Sequence, residues 1–180
     1  MAFLIKNSNQ GRVAGSLGTG QATIQQWIHL KRAAQTLPAT TNEVLFQVFG
    51  GRVLVHLLLA EVTTVIAATD PISTVEAVRL NDSKALVGTL AVIGTTLDMS
   101  SDEVGTIYTV EGDGTAIVSA QLAGFGQIGA AQNPWIMPQG EIYHKTTATK
   151  TGALKWDLWY QPLDEGAYVE TVQTARVHVT

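Results

Sequence analysis

The chain contains no cysteine, and this absence excludes disulfide bonds, thiolate metal sites and thiol chemistry. Charged residues are also scarce, at 14% of the sequence against about 25% in an average soluble domain. The net charge is −4, and Lys31-Arg32 is the only adjacent basic pair. Binding to phosphates requires clustered Lys and Arg side chains, so we expect no nucleic-acid partner.

Long hydrophobic runs are missing as well. The most apolar stretch, residues 53–60, is too short to cross a bilayer, so we expect no membrane partner. The N-terminus lacks the basic start and long apolar core of a secretory signal. These features predict a soluble protein that is made in the cytoplasm.

The sequence shows no arrangement of residues that is typical of catalysis or metal binding. The four histidines are not spaced as metal ligands, either with one another or with carboxylates. The acidic residues at 98–103 and 111–113 lie in turn-like segments, where solvated turns explain them better than acid–base or calcium chemistry. We therefore predict that the chain is not an enzyme and has no catalytic residues, no metal ligands and no cofactor.

The sequence does contain about eight to ten short strand patterns, separated by turn residues roughly every ten positions. The clearest alternation runs over residues 153–161, where Leu154, Trp156, Leu158 and Tyr160 point one way. This spacing predicts an all-β fold with a single β-sandwich or jelly-roll-like domain.

Residues 52–68 are predicted to form a central strand of this domain. Apolar residues at both odd and even positions indicate a strand that is covered on both faces. An unbroken register would place Val53, Val55, Leu57 and Leu59 on one face. Glu61 interrupts the pattern and predicts a bulge or a strand end nearby.

Residues 1–42 differ from the rest because glycine and small polar residues surround a few apolar clusters. We predict that they form an extended N-terminal arm and linker, followed by the β-sandwich domain at 43–180. The alternative, that residues 24–30 form the first strand or a short helix of the domain, stays open.

Aromatic residues supply the candidate interface. Trp159 falls on the face opposite Trp156 and Tyr160, so it points either outward or toward a second layer. Trp27 and Trp135 are similar candidates, and aromatics on a β-surface can also stack on sugars. The predicted interface residues are Phe3, Leu4, Ile5, Trp27, Ile28, Trp135 and Trp159.

Several blocks of the chain between residues 43 and 170 combine strand and turn residues in a recognisable order. The opening block is Leu45-Phe46-x-Val48-x-Gly50-Gly51-x-Val53-Leu54-Val55, followed by residues 61–66. The middle block is Gly105-Thr106-Ile107-Tyr108. The closing blocks are Gly140-x-Ile142, Thr151-Gly152-x-Leu154-Lys155-Trp156 and Tyr160-x-Pro162-Leu163-Asp164-x-Gly166-Ala167-x-Val169. Together these blocks resemble a family of tailed-bacteriophage virion structural proteins.

The resemblance implies a head decoration, cement or minor capsid protein with a β-sandwich or jelly-roll-like fold. Such a protein binds the outer surface of a phage capsid and stabilises contacts between capsid subunits. The implied partners are the major capsid protein and the chain itself, as a homotrimer, and the implied location is the capsid surface of the virion. The alternative is a phage tail or surface recognition module that binds host glycans.

Overall fold

The computed structural model describes residues 13–17, 20–24, 27–38, 42–66, 72–81, 86–110, 118–120, 134–146 and 151–173. This part of the chain contains thirteen β-strands and no helix, which confirms the predicted all-β class. The strands are β1 (Val13–Leu17), β2 (Gly20–Ile24), β3 (Ile28–Thr36), β4 (Asn42–Phe49), β5 (Val53–Thr64), β6 (Ile72–Leu80), β7 (Leu86–Asp98), β8 (Ile107–Val110), β9 (Val118–Ala120), β10 (Trp135–Met137), β11 (Gly140–Thr146), β12 (Ala153–Pro162) and β13 (Tyr168–Thr171).

The strands form a two-stranded sheet and two larger antiparallel sheets. β1 and β2 pair with each other. Sheet I has the order β3-β12-β5-β8-β9, and β10 pairs with the beginning of β5. Sheet II has the order β13-β4-β11-β6-β7. Late strands therefore lie between early ones, because β12 separates β3 from β5 and β11 separates β4 from β6.

One hydrophobic core joins sheets I and II and makes the fold a β-sandwich. Sheet I contributes inward side chains from β5 and β12, and sheet II contributes them from β4 and β11. Burial of each large apolar side chain contributes about 1.5–3 kcal/mol to folding. The largest contributors include Leu58, Trp156, Leu158, Phe46, Val48 and Ile142.

Strand β12 follows the predicted alternation, whereas β5 departs from it. Leu154, Trp156, Leu158 and Tyr160 are all buried, as the sequence predicts. In β5, however, the pairing with β12 shifts at His56, so that Tyr160 pairs with Val55 while Trp159 pairs with Leu57. This bulge turns Leu57 and Leu59 away from Val53 and Val55 and brings Leu58 into the core.

The predicted division at residue 43 needs correction, because part of the predicted arm belongs to the sandwich. β3 is hydrogen-bonded along β12 in sheet I. Its residues Ile28 and Leu30 pack against the core. Strand β3 (Ile28–Thr36) is therefore part of sheet I, and the strand alternative describes its start better than an arm does. Residues 1–12 lie outside the described part of the chain.

Candidate functional site

The outward face of sheet I carries two stacked pairs of aromatic rings at one end of the sandwich. Trp27 stacks on His56, with ring centroids 4.2 Å apart and an interplanar angle of 22°. His29 stacks on Trp159, with centroids 4.0 Å apart and an angle of 6°. We refer to these four residues as the aromatic–histidine face. They come from β12, β5, β3 and the residue preceding β3, so only the folded sheet assembles them.

Polar side chains hold both histidines of the aromatic–histidine face. The Nε2 atom of His29 lies 2.6 Å from Oδ1 of Asp157, its neighbour on β12. The Nε2 atom of His56 lies 3.4 Å from Oε1 of Gln161. Both partners alternate with the buried residues of β12, which explains why they point outward. The face thus combines flat rings with an amide and a carboxylate.

The structure divides the predicted interface residues into three groups. Trp27 and Trp159 lie on the aromatic–histidine face, and Trp27 is 62% exposed. Ile28 and Trp135 pack against the core, and the indole Nε1 of Trp135 has no hydrogen-bond partner among the described residues. Phe3, Leu4 and Ile5 lie outside the described part of the chain. The role of all these residues in an interface stays a prediction.

Sequence reasoning missed the two histidines of this face. Trp159 was identified from the alternation of β12, and the same alternation places Asp157 and Gln161 outward. The pairing of His29 with Trp159, in contrast, depends on the register between β3 and β12. That register joins segments more than a hundred residues apart, and no local pattern specifies it.

A second outward feature is strand β7, which lies at one end of sheet II. Among the described strands, β7 pairs only with β6. Residues 86–97, which make up all but the last position of β7, contain no charged residue and no proline. Val87 and Val92 of this strand are exposed. Long uncharged edge strands are prone to pair with other chains, and most proteins protect them with charge or proline.

A group of polar side chains is buried between the two sheets. The hydroxyl of Ser73 lies 2.8 Å from Nε2 of His144, and both residues are buried. Burial, together with the charge of Arg32, lowers the pKa of His144 from 6.5 to about 3. A serine–histidine pair in catalysis needs a reachable hydroxyl and a base that titrates near neutral pH. This pair has neither property, so its geometry fits a structural role.

Arg32 and Glu43 form a buried ion pair beside His144. A terminal nitrogen of Arg32 lies 2.5 Å from Oε1 of Glu43. The Nε–H group of Arg32 also donates to the carbonyl of Val172 at 2.8 Å. Arg32 belongs to β3 in sheet I and Glu43 to β4 in sheet II, so the pair connects the two sheets across the interior.

The acidic residues between β7 and β8 take structural roles. Asp98 accepts hydrogen bonds from the amide and the hydroxyl of Ser100, and these bonds lower the pKa of Asp98. Asp102 is buried and accepts a hydrogen bond from the hydroxyl of Tyr108, whose pKa is raised by burial and by this bond. No cluster of potential metal ligands occurs among the residues that the structure describes. Glu111 and Asp113 lie outside them.

Two turns meet at the same end of the sandwich as the aromatic–histidine face. Gly50, Gly51 and Arg52 connect β4 to β5, and residues 163–167 connect β12 to β13. Arg52 donates three hydrogen bonds to the carboxylate of Asp164, two from its guanidinium and one from its backbone amide. The leading and closing blocks of the resemblance are therefore in direct contact.

Comparison with known proteins finds no matching family model, no matching curated protein and no matching solved structure. The described residues include no helix that is long and apolar enough to span a membrane.

Proposed function

We propose that this chain is a structural virion protein that binds the outer surface of a phage capsid and stabilises contacts between capsid subunits. In this proposal its partners are the major capsid protein and further copies of itself, arranged as a homotrimer with a jelly-roll-like subunit. The proposal rests on the resemblance in sequence and on one feature of the fold, the uncharged edge of β7.

The β7 edge supports an assembly role because, among the described strands, only β6 pairs with β7, so the outer backbone groups of β7 are available for strand addition. An added strand gains main-chain hydrogen bonds along its length, and the exposed valines add apolar contact. An edge of this length without a charge would also promote aggregation if it stayed uncovered. Pairing with a neighbouring subunit would supply hydrogen-bond partners to the backbone of β7 and would cover the edge against aggregation. The edge of β3, by comparison, carries Lys31 and Arg32.

The buried polar pairs also support a non-catalytic role. Ser73 with His144 and Arg32 with Glu43 lie where no substrate reaches them. Their positions connect strands and sheets, and so they contribute to a rigid subunit. Rigidity suits a protein whose contribution is additive, since each copy would add modest contacts and many copies would raise the free energy needed to open a shell.

The variant Val92→Lys tests the role of the β7 edge. Val92 is 41% exposed and pairs with Glu76 on β6, so the new ammonium group has a carboxylate of its own subunit beside it. The fold should therefore tolerate the change while the edge gains a charge. Val104→Lys is the matched control, because Val104 is 56% exposed and lies between β7 and β8.

Binding to purified capsids and the mass of the free protein should both be measured for the two variants. We expect Val92→Lys to weaken capsid binding or self-association at least tenfold, and Val104→Lys to leave both unchanged. Equal behaviour of the two variants would remove the β7 edge from the proposal.

A copy number near one per capsid subunit in purified particles supports the decoration role, whereas a few copies per particle would overturn it.

A further inference from the structure

Trp27 is the most exposed large apolar side chain among the described residues, at 62%. One face of its indole ring is covered by the imidazole of His56, which lies nearly parallel to it. With so much of the side chain exposed, the opposite face of the ring is open to solvent. The stack fixes the plane of this ring, so that the sheet presents a flat aromatic platform of defined orientation.

Polar groups border this platform on the side of β12. Trp27 directly precedes Ile28, which pairs with Tyr160, and the next residue along β12 is therefore the cross-strand neighbour of Trp27. That residue is Gln161, whose amide oxygen contacts His56. Two side-chain rows further along the same face, beyond Trp159, lies the carboxylate of Asp157, which contacts His29. An amide and an imidazole thus adjoin the indole, and a carboxylate lies further along the same face of β12.

This combination matches the chemistry of a sugar ring. The C–H groups of one pyranose face pack against an aromatic ring, while the ring hydroxyls need both donors and acceptors at its edge. An amide and an imidazole supply both kinds of group, and a carboxylate accepts from paired hydroxyls. A stable interface with a protein partner would bury about 800 Å² of surface on each side, far more than one aromatic platform offers.

We propose that the aromatic–histidine face is a binding site for a neutral saccharide, with one sugar ring stacked on Trp27 and its hydroxyls bonded by Gln161 and His56. The saccharide is neutral because the carboxylate of Asp157 on the same face and the net charge of −4 both disfavour polyanionic glycans. This site is separate from the β7 edge and does not depend on the virion role.

An array of neutral oligosaccharides built from glucose, galactose, mannose and N-acetylglucosamine tests this site, followed by calorimetry with the strongest hit. Trp27→Ala removes the platform, and Trp27→Phe keeps a smaller one. Ile136→Ala is the matched control, since Ile136 is 58% exposed on the same face of sheet I, opposite Leu54. Thermal unfolding of each variant should be recorded alongside, because Trp27 precedes β3 and its loss should leave the melting temperature unchanged.

We expect Trp27→Ala to weaken saccharide binding at least tenfold, Trp27→Phe to weaken it less, and Ile136→Ala to leave it unchanged. Absence of binding to every saccharide on the array would overturn the proposal. Saccharide binding that survives Trp27→Ala would overturn the assignment of the site. Capsid binding that is lost in Trp27→Ala without any saccharide binding would instead identify Trp27 as a protein contact.

Discussion

Arg52 and Asp164 are 112 positions apart in the chain, and three hydrogen bonds join them across two adjacent turns. The guanidinium contacts both carboxylate oxygens, at 2.8 and 2.9 Å. Such a two-point contact depends on the planar fork of arginine, which lysine lacks. The pair therefore fixes the position of the turn after β4 relative to the turn after β12.

Replacement of Asp164 by Asn should lower stability in a way that depends on pH. Hydrogen bonds from Arg52 lower the pKa of Asp164 from 3.8 to about 2. The folded state therefore binds fewer protons than the unfolded state between these values, so the stabilisation is complete above about pH 4 and is lost as the pH falls toward 2. Urea unfolding of the wild type and of Asp164→Asn between pH 2 and 7 should show that the greater stability of the wild type is lost as the pH falls from about 4 toward 2. A constant difference would contradict this account.

Replacement of Gly50 by Ala should destabilise the fold more than replacement of Gly166 by Ala. Both glycines have positive φ angles, +71° and +79°, which cost an L-residue about 1–2 kcal/mol. A Cβ atom on Gly50 would also lie 2.5 Å from the carbonyl oxygen of Gly166, whereas one on Gly166 meets nothing within 4 Å. We expect a loss of about 3 kcal/mol for Gly50→Ala in urea unfolding. Equal losses of unfolding free energy in the two variants would show that the positive φ angle alone, and not the contact with Gly166, determines the cost.

Loss of one partner of the buried Arg32–Glu43 pair should be severe. Glu43→Gln leaves the guanidinium buried without its counter-ion, which costs about 3–5 kcal/mol. The double variant Arg32→Met, Glu43→Leu removes both charges and should recover most of this loss. Unfolding free energies of the single variants Arg32→Met and Glu43→Leu, together with that of the double variant, give the coupling energy. Additive losses would mean that the two side chains stabilise the fold independently.

His144 should make the protein less stable as the medium becomes mildly acidic. Burial lowers its pKa from 6.5 to about 3, so the folded state keeps the ring neutral while the unfolded state takes up a proton. Stability is therefore complete above about pH 6.5 and falls as the pH is lowered toward 3. The free energy of unfolding of His144→Gln should decline less steeply between pH 6.5 and 4 than that of the wild type. Most of the effect of Asp164 lies below this pH range, so the two effects can be separated. Parallel curves for the two proteins would contradict the prediction.

The sequence predicts the fold class and the inward face of β12, because strict alternation over ten residues has only one simple explanation. It predicts the faces of β5 incorrectly, since the bulge at His56 is created by pairing with β12 and has no local signature. Glu61 was the residue expected to mark an irregularity. A second shift in pairing does occur near it, where Ala153 pairs with Thr64 and Leu154 with Val62.

The dependence on strand pairing also limits prediction of the candidate site. The single residues Trp27 and Trp159 can be selected from composition and alternation. Their stacking partners His56 and His29 depend on which strands are neighbours, and a sheet in which late strands lie between early ones gives no hint of this in the sequence. The buried pair of Arg32 and Glu43 cannot be predicted from the sequence for another reason. Two charged residues near a turn normally indicate a solvated surface.

The position of β11 and β12 inside their sheets also bears on how the chain matures during synthesis. When the ribosome has produced β3 to β6, the neighbours that separate these strands do not yet exist. Sheet I cannot close until β12 has been translated, and sheet II cannot close until β11 has been translated. A chain that is released before β11 therefore lacks the centre of both sheets rather than a peripheral piece. Such a chain would leave the core-facing side chains of β4 and β5 uncovered, which would favour misfolding.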